Sequence, residues 1–254
     1  MLSFLQNSVD NHIHCCPHIN KRSTNIFEVV EHAEKNKMYA IGLMDNFSNT
    51  SGYASLIRKY FPNLNLKIFG GLIMEPPAGG VSYENAKIAL EYSYFKNDGA
   101  KFISFPTHHT RHVAIQEQRN LNYIQDCFYV PDEGPTYETS KILELIAKKN
   151  IVLNTGHLSP KETIILVKVA KSLGVDKILV PSNNFNKTTI KKLKIYNVYF
   201  EFSYFFVSKA TEVPLTHVDD ERHKIKGIKL KTLKDLIKTA DPKNVILSSD
   251  CGVS

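Results

Sequence analysis

Along this chain, eight apolar runs rich in β-branched and aromatic residues alternate with helical patterns. The runs are Val9–His14, Tyr39–Met44, Leu66–Met74, Lys101–Pro106, Ile151–Thr155, Lys177–Val180, Val198–Phe202 and Val245–Ser249. Strand followed by helix, repeated in this order, builds βα units around a parallel sheet. Several runs are apolar on both faces, as strands covered on both sides are. Eight such units in 254 residues match the size of a TIM barrel. The expected fold is therefore α/β: a distorted (β/α)8 TIM barrel forming one domain over residues 1–254. The sequence stops at Ser254, just after the eighth strand, so the expectation is a barrel lacking a full eighth helix.

The intervening helices carry start and stop signals. Asn25 with Glu28 three residues on forms a capping box, and Ile26, Val29, Val30 and Ala33 follow at helical spacing. Ser159-Pro160-Lys161-Glu162 combines an N-cap, a proline at the first helical position and a capping glutamate, and Gly174 ends that helix. Thr136 to Lys149 and Leu230 to Ala240 also read as helices. Two connections, from Thr107 to about Pro135 and from Ser203 to about Gly227, are longer than a βα turn needs. Both leave strand C-terminal ends, where barrel enzymes place their sites, and both are candidate lids.

Apolar residues make up 43% and charged residues 22%, an ordinary globular composition. The net charge of +7 is spread thinly. Lysines on solvated helix faces account for most of it, and a bias toward anionic substrates is the functional alternative. No aromatic-plus-basic RNA motif or recognition helix is visible, so no nucleic acid partner is expected. Met1 to Ser8 has no charged leader and no long apolar run, and no membrane segment is expected. Cys15, Cys16, Cys127 and Cys251 make a poor disulfide framework, which fits a reduced, cytoplasmic protein. The expected partner is a small, possibly anionic substrate molecule. A homo-oligomer is compatible with the sequence.

The chemistry gathers at strand ends. In Ser8-Val9-Asp10-Asn11-His12-Ile13-His14, strand alternation puts Asp10, His12 and His14 on one face and Val9, Asn11 and Ile13 on the other. Strand five ends in Asn154-Thr155-Gly156-His157 and strand eight in Ser248-Ser249-Asp250. A barrel brings these ends into one ring, so His12, His14, His157 and Asp250 would line one mouth. Three imidazoles and a carboxylate suit Zn2+, or Mn2+ or Fe2+. An ion with an open position acidifies a bound water. Asp250 then serves as ligand, as proton acceptor, or as both. Asp10, one step deeper, is the expected oxygen partner of a ligating imidazole.

Here the chain resembles a known group. His12-Ile13-His14 after strand one, His157 after strand five and Asp250 after strand eight resemble the amidohydrolase superfamily of metal-dependent hydrolases. Phe69-Gly70-Gly71, Phe105-Pro106-Thr107, Thr155-Gly156-His157-Leu158-Ser159 with Glu162, and Ser248-Ser249-Asp250 resemble an uncharacterised amidohydrolase-like family. The resemblance spans essentially the whole chain. It implies a distorted (β/α)8 barrel whose metal activates water against an amide, lactone or related carbonyl centre. It fixes no substrate, because the superfamily cleaves amides, lactones, phosphoesters and C–C bonds. Two departures stand out. Lys101 lies at the wrong end of strand four to bridge two metals, and Pro181-Ser182-Asn183-Asn184 stands where a strand-six histidine is usual. One strongly held metal is expected rather than a bridged pair.

A second resemblance competes. Ala40-Ile41-Gly42-Leu43-Met44-Asp45-Asn46 and Glu75 resemble the polymerase-and-histidinol-phosphatase group of phosphoesterases. That group has a His where Asn46 stands, and a final Asp-x-His that Asp250-Cys251-Gly252 does not supply. Glu75 is a candidate bridge to a second metal under either resemblance. A third possibility is a barrel without activity that serves as a binding subunit. Of the remaining residues, His108, His109, Arg111, Glu201 and Asp45 are candidate substrate contacts at the mouth. The arginine there suits a carboxylate or phosphate.

Overall fold

The computed structural model describes residues 3–216 and 222–252. All eight expected runs form strands. In chain order the elements are β1 (Val9–Ile13), α1 (Ile26–Lys35), β2 (Ala40–Leu43), α2 (Ser51–Tyr60), β3 (Lys67–Gly70), β4 (Leu72–Ile73), α3 (Tyr83–Glu91) and β5 (Phe102–Ser104). Next come α4 (Arg111–Gln116), α5 (Leu121–Asp126), α6 (Tyr137–Lys149), β6 (Val152–Asn154), α7 (Pro160–Ser172), β7 (Ile178–Pro181), α8 (Lys187–Lys194) and β8 (Tyr199–Ser203). The last are β9 (Leu215–Thr216), β10 (Arg222–His223), α9 (Leu230–Ala240) and β11 (Val245–Ser248). Both expected capping boxes form, Asn25 with Glu28 at α1 and Ser159 with Glu162 at α7.

The fold is mixed α/β with parallel sheets. One sheet has the order β1-β2-β3 and the other β11-β8-β7-β6-β5-β4, all pairs parallel. Each has its own outer core. Ile13, Ile41, Leu43 and Ile68 pack on Val29 and Val30 of α1 and Ile57 of α2. The larger sheet packs on α3, α6, α7, α8 and α9 through side chains such as Ile142, Leu166, Ile190 and Leu233.

The strand ladder is interrupted at two seams. The third sequence run splits at Gly71, with β3 pairing to β2 and β4 to β5. A Cβ on Gly71 would lie 2.3 Å from the Phe102 carbonyl oxygen, so no side chain fits there. Buried Thr50 sutures this seam. Its backbone N–H donates to the Gly71 carbonyl (3.0 Å), and its hydroxyl accepts from Gly71 N–H (3.0 Å) and donates to Leu43 O (2.7 Å). The second seam lies between β11 and β1. Asp250 N–H donates to His12 O (3.0 Å), His14 N–H donates to Cys251 O (3.0 Å), and Asp10 Oδ1 accepts from Ser249 N–H (3.1 Å).

Strict alternation fails in β1. Its register against β2 shifts between Asp10 and Ile13, and Asn11 and His12 both reach Glu201 instead of pointing to opposite faces. The long connections also differ from plain loops. The first holds α4 and α5. The second holds two 3-10 turns and the antiparallel β9–β10 hairpin, with residues 217–221 outside the described residues. No helix follows β11 among the described residues, and residues 253–254 lie outside them.

The Gly71 seam yields a test. Gly71→Ala must displace Phe102, and overpacking of this kind costs about 1–3 kcal/mol. Urea unfolding should show that loss in the midpoint at an unchanged m-value.

Candidate metal centre

The shifted register in β1 and a left-handed turn after β11 bring three donors together. Asp250 has φ +49°, a conformation uncommon outside glycine, and its bond to His12 O holds it there. His12 Nε2 lies 3.2 Å from His14 Nε2, and each nitrogen is 3.5 Å from Asp250 Oδ1. The donor atoms of His12, His14 and Asp250 all fall within 4.8 Å of one another. Below them, Glu201 Oε1 lies 3.1 Å from His12 Nδ1 and accepts from Asn11 Nδ2 (3.0 Å). Glu201 is completely buried.

The electrostatics show that the group is built to hold positive charge. Burial alone would strip the proton from His12, but Asp250 and Glu201 outweigh it and raise the pKa to about 10. Burial and the charge on His12 drive His14 well below the ordinary 6.5. Burial would raise Glu201, yet His12 and its hydrogen bond hold it low. Asp250 moves the other way, raised by burial against the pull of His12. Glu201 is thus the fixed counter-charge and Asp250 the more basic carboxylate. Two convergent imidazole nitrogens and a carboxylate oxygen, with a carboxylate bracing one imidazole, fit a divalent ion of the zinc, manganese or iron type.

The other expected site residues spread around this group. His157 lines the same mouth but stands outside the three-residue cluster. Burial, then the charge on His12, lowers its pKa to about 4. His108 also lines the mouth, its ring 6.1 Å from that of His157. Glu75 is taken up by the chain: Oε1 accepts from Thr107 N (2.7 Å), Thr107 Oγ1 (3.0 Å) and His108 N (2.7 Å), and Oε2 from His109 N (3.1 Å). It clasps the loop after β5 and is not in the His12–His14–Asp250 group.

Asp45 accepts from Phe47 N (2.9 Å) and Ser48 Oγ (2.6 Å). The His109 ring packs on Tyr123, and the Arg111 guanidinium stacks on Tyr129 at 3.4 Å. Arg111 is therefore turned onto an aromatic wall, and Glu201 lies beneath His12 and does not line the mouth. The oxygen partner of the His12 ring is Glu201. Asp10 bonds backbone N–H groups of His12 (3.3 Å) and Ser249.

Sequence reasoning passed over His18, Asn20 and Arg22. All three line the mouth. Arg22 is buried, with one guanidinium nitrogen 2.6 Å from His18 Nε2 and its Nε without a partner. Burial pulls its pKa down while Asp250 and Asp45 support its charge. The available signal was their place in the loop that leaves a ligand-bearing strand. Asn20 pairs twice with the Thr216 backbone (2.9 Å each) and so ties β9 to that loop. Phe205, Phe206, Leu215 and Ile225 roof the mouth. Beside it opens a cavity of about 590 Å³ that shares His108, His157, Phe206 and Ile225.

A family model described as a family of unknown function, DUF6282, matches residues 7–201. The chain belongs to this family. The matched stretch holds His12, His14, His157 and Glu201 and stops short of Asp250. No protein with a curated description matches the chain.

Several solved structures share its fold. A variant of an organophosphorus hydrolase from Deinococcus radiodurans is 12% identical with a TM-score of 0.55, covering 88% of this chain. This chain spans only 65% of that protein. The probable dipeptidase PvdM from Pseudomonas aeruginosa is 12% identical with a TM-score of 0.60, over 98% of this chain and 84% of that one. An amidohydrolase from Pseudomonas aeruginosa is 11% identical with a TM-score of 0.59, over 97% and 74%. At these identities the likeness establishes the fold alone.

Two titrations follow from the centre. Glu201→Gln removes the fixed counter-charge, so the His12 pKa in ion-free protein should fall from about 10, read by NMR of the imidazole protons. The folded pKa of His157 lies below its unfolded value. Its stabilising contribution is therefore present above pH 6.5 and lost as pH falls from 6.5 to about 4. In His157→Gln, melting temperature should depend less on pH across that window than in the parent protein.

Proposed function

We propose that this chain is a metal-dependent hydrolase of the amidohydrolase type, acting on a small, anionic substrate at a carbonyl-type centre such as an amide or lactone. In this reading the two sheets form one distorted eight-stranded barrel and residues 1–254 one catalytic domain. The observation that carries it is the His12–His14–Asp250 cluster braced by buried Glu201, opening beside a cavity of about 590 Å³. The similar structures are named as an organophosphorus hydrolase, a probable dipeptidase and an amidohydrolase, which supports hydrolysis in general.

His12, His14 and Asp250 hold the ion, with His157 across the mouth as the further donor; zinc suits this set best, with manganese or iron as alternatives. When bound, such an ion supplies Lewis acidity to a substrate oxygen and makes water more acidic. Asp250, its pKa raised by burial, takes the proton from the attacking water. Glu201 fixes the tautomer and orientation of His12 by accepting from Nδ1. His108 contacts the substrate in the cavity. Arg22, buried at the mouth with an unpartnered Nε, binds a substrate carboxylate or the oxyanion that develops. Lys224, Lys226 and His112 on the cavity wall favour an anionic substrate. His109 and Arg111 support the wall from behind. Phosphoesterase chemistry with several ions would draw on Asp45 and Glu75, and both already accept hydrogen bonds from their own chain.

Metal analysis tests the reading. Protein prepared without chelator should carry about one divalent ion per chain, and chelator should lower its melting temperature. His12→Ala should carry none and show no response to chelator. Glu201→Gln should weaken ion affinity about 10- to 100-fold. Parent protein that holds no ion and ignores chelator would leave the inactive binding subunit as the better reading.

A further inference from the structure

At the N-terminal ends of the strands the two sheets leave a hollow. Filled barrels pack their interior in layers of branched side chains. Here the inner cluster is Met44, Ile73 and Phe102, with Phe69 and Val152 only partly buried against it. Below it a cavity of about 1060 Å³ opens at the N-terminal ends of the strands. Lys67 and Val152 begin β3 and β6, Tyr199 begins β8, and Lys101 and Lys177 directly precede β5 and β7.

The walls are apolar and the rim is basic. Met44, Phe69, Phe102 and Leu179 line the interior. Arg58, Lys67, Lys101 and Lys177 stand at the rim with one carboxylate, Asp98. Asp98 is already engaged by both Arg58 and Lys101, the latter at 2.6 Å. Among the described residues, Lys67 and Lys177 meet neutral oxygens, the Tyr39 hydroxyl and the Asn150 carbonyl (2.9 Å), and form no ion pair. The Lys67 ammonium also lies 4.3 Å from the Tyr39 ring centroid. An apolar hollow whose rim carries more cations than carboxylates is complementary to a molecule with an apolar body and an anionic head.

We infer that this cavity is a second ligand site, separate from the metal centre, for a medium-chain acyl carboxylate whose chain enters the barrel and whose carboxylate sits between Lys67 and Lys177. The site needs no metal, so it stands or falls independently of the hydrolase reading.

Calorimetry on the full chain with dodecanoate below its micelle concentration tests this. Saturable one-to-one binding is expected, at least tenfold tighter than dodecanol, and it should persist in His12→Ala. Lys67→Ala with Lys177→Ala, both at the surface, should bring dodecanoate down to the affinity of dodecanol and leave dodecanol unchanged. A 13C label on the Met44 methyl should shift with dodecanoate and not with acetate, which locates the ligand without relying on a cavity-filling variant. Equal affinity for acid and alcohol, indifference to the lysine pair, loss of binding in His12→Ala, or an unmoved Met44 signal would each overturn the inference. So would a stable dimer in ultracentrifugation that dodecanoate neither enters nor dissociates.

Discussion

A buried positive charge, shared by His12, Asp250 and Glu201, holds the closing seam of this molecule. His12 belongs to the small sheet, and Glu201 and Asp250 to the large one and its end. Each sheet has its own outer core, and only the small inner cluster of Met44, Ile73 and Phe102 packs the two sheets on each other among the described residues. At the β11–β1 seam, a few backbone bonds and this charge cluster join them. Buried charges persist only where they are paired and hydrogen-bonded. Glu201, with Asn11 and His12 both directed at one oxygen, is the group whose loss would be felt furthest.

The same arrangement explains why the donors suit an ion. A site that keeps an imidazole protonated up to about pH 10 is one where a positive charge is already solvated by the protein. An ion that displaces that proton finds its counter-charges in place and its imidazoles oriented. Arg22 adds a fixed cation on the far side, supported by Asp45 as well as Asp250. The mouth therefore alternates acid and base, with His18 and Arg22 in contact and Asp45 beside them.

Much of this was legible in the residues. The eight strands, both capping boxes and the convergence of His12, His14 and Asp250 follow from periodicity and order along the chain. What the sequence hid depends on distance and local departure from regularity. The register shift in β1 reverses the face expected for Asn11, and with it the identity of the partner of the His12 ring. Glu75 reads as a ligand by its position after a strand, but four chain donors claim it, and no spacing rule reveals a nest of amides formed by a distant loop. Arg111 looked like a substrate anchor, and its stacking on Tyr129 comes from the chain after α5 folding back onto the start of α4, a pairing between short segments that carry little periodicity. Arg22 was invisible because a lone basic residue in a loop resembles a solvated one until its burial is known.

The Gly71 seam gives the centre an unusual economy. Two imidazoles on one strand act as a single two-toothed arm, and Asp250 is the other arm. At the other interruption of the strand ladder, the two sheets are joined through one residue that has no room for a side chain. The two arms are thus tied by a very short backbone tether between the sheets that carry them. The Thr50 hydrogen bonds hold that joint, as the backbone bonds beside the donors hold the other. Substitutions at that joint, far from the donors, therefore bear on how the two arms meet.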